Sequence, residues 1–341
     1  MEKGSIAICF VEHALRELHE RKIETAPILR EAGIAPHLLG IPQARVSAAS
    51  YSTLWRLVAR ALDDEFFGED SHPMRVGSFA LLCHAVLDCA TLEHAVRRSG
   101  RFFAAVLDDV GVALDSRDEA DTAAIRLVQR NGKAPRVFAH ETMLILLHGL
   151  LCWLVGRRIP VQRACFAYPE PPYSAEYRMM YSSHLYFDRP ATHIEFDRRY
   201  LTLPVVQNLE TLRTFLDNAP ENIVLKYKSE RSITAQARRQ LRNLPPAQWP
   251  RFDQLAAHLH LTGSTFRRRL AEEGLSYQGL IDELRRDLAI DALIHSRSSV
   301  SEIAAYLGFA DPGSFHRAFK KWTGSPPAGY RKTRSVYAEA R

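Results

Sequence analysis

The chain has 341 residues, long enough for two domains, and a net charge of +6 that is unevenly held. Residues 229–341 carry 18 Lys and Arg against 11 Asp and Glu, whereas residues 1–228 carry 27 against 28. A polyanion partner for the C-terminal third is expected, rather than a general attraction to nucleic acid or membrane. Five scattered cysteines without a CxxC pair argue against a disulfide framework and suit a reducing compartment.

The opening MEKGSIAICF lacks the basic flank, long apolar run and cleavage site of a secretion signal. Apolar spacing predicts helices over Ile6–Glu20, through Ile6, Phe10, Val11, Leu15 and Leu18, and over Ser50–Leu62, through Tyr51, Leu54, Trp55, Val58 and Leu62. The period then shifts. Residues 110–114 and 123–128 alternate apolar and polar about an Asp-rich turn, as a β-hairpin does. A long helix is expected over Arg136–Val155, with further strands at Gln162–Tyr168 and Thr192–Phe196. The fold class expected is α+β, helices packed on one side of an antiparallel sheet. The longest apolar run, Met143–Val155, is too short to span a bilayer and reads as a buried helix of a cytoplasmic protein with no membrane partner.

Enzyme motifs are lacking. His140-Glu141 is not followed by a second histidine one turn on, and His148 comes two turns later. Cys83, His84 and Cys89 have soft ligand atoms at a spacing that suits core or surface roles better than a metal. There is no nucleophile elbow, phosphate loop or dinucleotide fingerprint. No catalytic residue, metal or cofactor is assigned, and the protein is expected not to be an enzyme. Tyr168, Tyr173, Tyr177, Tyr181 and Tyr186 can line a pocket or pack a domain edge. Residues 207–228 are helical in pattern (Leu209, Leu212, Phe215), broken at Asn218-Ala219-Pro220, and join the two halves.

The C-terminal third is more explicit. Ser299 and Glu302 form a capping box that opens a short helix with Ile303, Ala304 and Leu307 inward. Gly308 allows a sharp turn. Asp311 then caps a new helix with Pro312 at its first position, and Gly324 followed by Pro326 and Pro327 ends it. Phe315, Ala318, Phe319 and Trp322 fall on one face; Gly313, His316, Arg317 and Lys320 fall on another. This is helix-turn-helix grammar, and it occurs twice. Leu255–Leu261 aligns with Ile303–Phe309, 48 residues later. Phe266 and Leu270 answer Phe315 and Phe319, Thr262 can cap, and Ser264, Arg267, Arg268 and Ala271 lie opposite the apolar anchor, with Arg269 beside it. Between the copies, Tyr277–Ser296 reads as one long helix. It can hold two recognition helices, over about 262–272 and 312–323, at a fixed separation. Successive major-groove segments on one face of B-DNA lie about 34 Å apart.

These units, the joining helix and the closing Gly324-Ser325-Pro326-Pro327-Ala328-Gly329-Tyr330-Arg331 resemble the C-terminal domain of the AraC/XylS family over residues 230–334. The resemblance implies an all-α domain with two helix-turn-helix units. It places base-edge contacts at Ser264, Arg267 and Arg268 in one groove and at Pro312, Gly313, His316 and Arg317 in the next. Arg269 and Lys320 then reach phosphate. Pro312 and Gly313 lack the polar side chains that some members use there, which leaves reading to His316 and Arg317.

More loosely, Gly77-Ser78-Phe79, Ala90–Ala95 and Phe187-Asp188-Arg189-Pro190 resemble the N-terminal domain of the arabinose-binding-type subgroup that includes ornithine-utilisation regulators. A domain of residues 1–205 is expected on that basis, then a linker over 206–229, the DNA-binding domain over 230–334 and a tail over 335–341. The resemblance implies a one-component activator that binds double-stranded promoter DNA, senses a small-molecule effector, forms a homodimer and meets RNA polymerase. Two alternatives stay open: an unliganded regulator or repressor whose front domain only dimerises, and a metabolite-processing domain with autoregulatory DNA binding.

Overall fold

The structure, a computed structural model, describes residues 5–116, 121–132, 134, 136–217, 219–220, 223, 233–272 and 275–331. In chain order its regular elements are β1 (Ser5–Ala7), α1 (Ile8–Glu20), α2 (Ala26–Glu31), β2 (Arg45–Ser47), α3 (Ala48–Leu62), α4 (Ser78–Leu87), α5 (Leu92–Val106), β3 (Val110–Ser116), β4 (Thr122–Gln129) and α6 (Val137–Leu154). There follow β5 (Arg163–Cys165), α7 (Ala175–Met180), β6 (Leu185–Tyr186), β7 (His193–Asp197), α8 (Leu209–Asp217), α9 (Ile233–Arg242), α10 (Phe252–His258), α11 (Gly263–Glu272), α12 (Tyr277–His295), α13 (Val300–Tyr306) and α14 (Pro312–Thr323). The later part of the linker, beyond Ile223, and the tail over 335–341 lie outside the described residues.

Packing divides the chain into two compact units, one drawn from Met1–His13, Lys22–Leu54 and Glu230–Arg341, the other from Ala14–Arg21 and Trp55–Ser229. The second unit is built on a five-stranded sheet of order β3-β4-β7-β5-β6. The expected hairpin is present, with Val112 opposite Leu127 and Leu114 opposite Ile125. The antiparallel expectation needs one correction: β5 and β6 run parallel, because the segment between them passes through α7 before returning to the sheet. Helix α5 lies against β3 at close range. A side chain on Gly100 would put its Cβ 2.7 Å from the Val112 carbonyl oxygen, so only glycine permits the approach.

Helix α6 bears out the long buried helix expected here. It is 18 residues long and predominantly apolar, long enough to cross a membrane by length and composition, and 89% of that segment is buried inside the protein. Leu144, Leu147, Leu150, Leu151 and Leu154 are essentially inaccessible. A helix this apolar suits either a core or a membrane, and its burial among the other elements assigns it to the core.

In the first unit, β1 pairs antiparallel with β2, Ile6 opposite Val46. The helix expected from Ile6 therefore starts at Ile8, whose N–H donates to the Ala44 carbonyl at 2.9 Å. Residues 22–54 precede the long sheet in sequence, yet they share a compact unit with the C-terminal helices. The Tyr330 hydroxyl, fully buried, accepts from the Arg45 N–H at 2.9 Å.

Candidate nucleic-acid interface

The interface rests on two apolar anchors. Ile233, Ala237 and Leu241 of α9 enclose Leu255 and Ala256 of α10, Phe266 and Leu270 of α11, and Leu280, Ile281 and Leu284 of α12. Phe252 stacks on Phe266 at 5.2 Å between ring centroids. Thr262 caps α11 as expected, its hydroxyl accepting from the Thr265 N–H at 3.2 Å. With the Phe266/Leu270 stripe turned inward, Ser264, Arg267, Arg268 and Arg269 are exposed. They are not equivalent. The Arg267 guanidinium sits 5.2 Å over the Phe252 ring, which orients it, and the Ser264 hydroxyl lies 3.1 Å from that of Thr262.

The second copy repeats the design with stronger caps. The Ser299 hydroxyl accepts from the Glu302 N–H at 3.1 Å, and the Glu302 carboxylate accepts from the Ser299 N–H at 2.5 Å. Asp311 accepts from the Ser314 N–H at 2.8 Å and from its hydroxyl at 2.6 Å. Both carboxyls are held below their usual range, Asp311 by the hydroxyl and then the N–H of Ser314, Glu302 by the backbone N–H of Ser299. Phe315 and Phe319 are fully buried, and Phe319 meets the Tyr330 ring edge-on at 5.1 Å. Pro312, His316, Arg317 and Lys320 are exposed, with Gly313 half-buried. Arg317 donates to the Ser314 hydroxyl at 2.9 Å, which folds its guanidinium back toward the start of the helix.

The turns of the two copies match residue for residue. Gly308 has φ +78° and His260, at the equivalent place, has φ +55°. Helix α12 joins the copies. Ser276 caps it, accepting from the Gly279 N–H at 3.0 Å; Leu280 and Leu284 serve the first anchor, and farther along Ala289, Ile290 and Leu293 are buried. Two residues not singled out in the sequence stabilise this joint. Arg285 lies 5.9 Å over the Trp249 ring and 5.3 Å over the Phe309 ring, and burial lowers its pKa. Arg238 forms a largely buried ion pair with Glu283. Their aromatic and acidic partners are distant in the chain, so no local pattern reveals them.

The remaining sequence features resolve into core. His140 Nδ1 lies 2.8 Å from the Thr192 hydroxyl, whereas Glu141 accepts from the Tyr177 hydroxyl, so the adjacent pair serves different partners. Tyr168, Tyr177 and Tyr181 are buried around Phe166, while Tyr186 is 36% exposed. Burial raises the Cys83 thiol, with the Glu65 charge adding to it. A cavity of about 250 Å³ lies elsewhere in the same unit, between Trp55, Arg60, Glu65, Phe79, Leu146 and Ile223 among others.

Comparison with known proteins agrees with this architecture. The profile of the arabinose-binding domain of AraC transcription regulators, an N-terminal domain, matches residues 23–205, and that of a helix-turn-helix domain matches residues 255–333. The ornithine utilization regulator of Pseudomonas aeruginosa is 26% identical over 330 residues, 96% of each chain. An uncharacterized HTH-type transcriptional regulator of Mycobacterium tuberculosis is 28% identical over 325 residues, 92% of each chain. Among solved structures, the transcriptional regulator CdpR from Pseudomonas aeruginosa is similar with a TM-score of 0.31 and 20% identity, covering 95% of this chain and 98% of that one. The two sequence relatives are named as regulators, not enzymes. With a ligand-binding type of domain at its front and paired helix-turn-helix units behind, the chain belongs to the AraC family of DNA-binding transcription regulators.

Proposed function

We propose that the protein is a one-component transcriptional activator: an effector bound in the front domain alters how α11 and α14 engage a promoter. The observation that carries this reading is the pair of capped recognition helices, each anchored by buried aromatic or aliphatic residues and each exposing cations. Arg267 and Arg268 read bases in one groove with Ser264 beside them, and Arg269 holds phosphate. In the other groove, His316 and Arg317 read bases past Gly313, and Lys320 holds phosphate. Pro312 and Gly313 offer no side-chain donors, so the second half-site tolerates base changes better than the first. The activator sense follows from the family resemblance, as do a homodimer, contact with RNA polymerase and a cytoplasmic location, where the free cysteines stay reduced.

The cavity supports the effector. Its walls are mainly apolar, and exposed Arg60 and the Glu65 carboxyl supply polar ends, which suits a small metabolite with an apolar body and a polar or charged group.

Gel-shift titrations across a salt series on operator and scrambled DNA test the DNA reading. Lys320→Ala should weaken both alike and lower the slope of log affinity against log salt by about 0.9. Arg317→Ala should cost ~1 to 3 kcal/mol chiefly on the operator. Unchanged affinity and slope for both would remove α14 from the interface. A metabolite that raises the melting temperature of the full chain should lose that effect in Ala80→Trp, because Ala80 lies in the cavity wall and the larger side chain fills the space; an equal shift in the variant would place the effector elsewhere.

A further inference from the structure

Strand register brings together residues that the sequence keeps apart. Cys165 on β5 pairs directly with His193 on β7, and Arg163 pairs with Glu195. Alternate residues of a strand share a face. These four therefore lie on the face opposite Ala164 and Ile194, which are 0% and 1% exposed. One ligand atom each from Cys165, His193 and Glu195 falls within 4.8 Å of the other two. Cys165 is buried while the His193 and Glu195 side chains keep 24% and 21% exposure, so the cluster is sheltered yet open to a solute.

Hydrogen-bond accounting shows what this cluster lacks. His193 Nδ1 lies 3.3 Å from the Ala191 carbonyl and Nε2 lies 3.2 Å from Glu195 Oε1. Both neighbours are acceptors, and a neutral imidazole has a single N–H. With that proton on Nδ1, two lone pairs face each other at Nε2 and Oε1. A second proton or a cation would fill that gap; with the proton on Nε2 instead, the Ala191 carbonyl is the acceptor left without a donor. The Cys165 sulfur beside this pair does nothing for a proton shared by imidazole and carboxylate, but it supplies the third ligand atom of a metal site.

We propose that Cys165 Sγ, His193 Nε2 and Glu195 form a binding site for a divalent transition metal of the zinc class. Three protein ligands of S, N and O type leave a fourth position for water or a solute. The Nδ1–H donating to the Ala191 carbonyl is the outer contact that fixes the tautomer of a ligating histidine. Tetrahedral bonds of about 2.0 to 2.3 Å separate ligand atoms by roughly 3.3 to 3.7 Å. Small side-chain rotations close the difference. Thiolate and carboxylate together neutralise a dication. Burial and Glu195 raise the Cys165 thiol while Arg163 and Arg189 pull it down, and a coordinated metal deprotonates it outright. Of the neighbouring cations, Arg126 pairs with Asp115 at 2.7 Å, Arg163 and Arg189 each stack on Tyr186 at 5.4 Å, and Arg163 also lies 3.7 Å from Glu195 Oε2, the carboxylate oxygen other than the one that meets His193.

The test is titration of the chelator-stripped full chain with Co²⁺, then competition of Zn²⁺ against a chromophoric chelator. One equivalent of Co²⁺ should give tetrahedral visible bands with a sulfur-to-cobalt charge-transfer band. Cys165→Ser and Glu195→Gln, each checked for a parental circular dichroism spectrum, should lose the tetrahedral sulfur-ligated spectrum or weaken Zn²⁺ binding at least tenfold. If Cys165→Ser fails to fold, Glu195→Gln alone decides. Cys152→Ser should change nothing; Cys152 is the control because its Sγ lies 3.5 Å from His148 Nε2. No binding, a spectrum without sulfur ligation, or a signal lost only in Cys152→Ser would overturn the assignment.

Discussion

Glu141 shows how a single buried group marks the whole protein's response to pH. Its carboxyl is inaccessible, and burial lifts its pKa from 4.5 to about 7, with the Tyr177 and Tyr173 hydroxyls opposing. A raised carboxyl contributes stability that is complete below the unfolded value and is lost as pH climbs through the folded one. His140 works in the opposite sense over nearly the same range: burial lowers it from 6.5 to about 4, so its share is lost as pH falls through that window and largely offsets the Glu141 effect. Urea unfolding of Glu141→Gln should therefore uncover the His140 effect, with stability rising more steeply than in the parent as pH climbs from about 4 to 6.5; an unaltered profile would mean that Glu141 is ionised in the folded state. At the paired turns, the two copies call for opposite substitutions. Gly308→Ala should lose ~1 to 2 kcal/mol, because φ is +78° and the new Cβ would lie 3.1 Å from Ala247 Cα. His260→Gly relieves φ +55° and should gain somewhat less, about 0.5 to 1 kcal/mol after the entropy of glycine is subtracted. Thermal melts that rank the two the other way would refute the equivalence of the turns.

Helix α14 shows what makes an element legible before its neighbours are known. Asp311, Pro312 and Gly324 act within the helix's own ends, and each performs the role its position implies. The anchors behave likewise, since the i, i+4 pair Phe315 and Phe319 shares one face whatever it packs against. Phe319→Ala should cost ~3 to 5 kcal/mol by opening a cavity beneath the recognition helix. Hydrogen exchange across residues 312–323 should speed up, and DNA binding should fail with it. Protected amides combined with lost binding would instead give Phe319 a direct part in recognition. Helix α6 marks the boundary of such reasoning. Its composition admits both a core helix and a membrane span, and its burial among other elements separates them.

At the scale of the whole chain, order in sequence and membership in a compact unit diverge. Arg45 is 285 positions from Tyr330, yet its buried N–H relies on that hydroxyl. Tyr330→Phe should cost ~1 to 3 kcal/mol in the unit that holds both, because it strips a buried donor of its acceptor while keeping the ring on Phe319. Differential scanning calorimetry of the full chain should show the lower transition; equal transitions would mean that the N–H finds another partner.

The repeat, the caps, the anchors and the basic faces of α11 and α14 were all written in local order, because helix ends and helix faces are set by residues within a few positions of each other. The hairpin of β3 and β4 was legible for the same reason: its partners are near neighbours and alternate in polarity. Contacts closed by distant segments were not. Arg285 has no assignable role until Trp249 and Phe309 come to meet it, and Cys165, His193 and Glu195 form no spaced motif until the β5–β7 register sets them side by side. A strand's own residues determine which of its side chains share a face, but not which strand lies beside it or in what register; that choice belongs to the packing of the sheet as a whole.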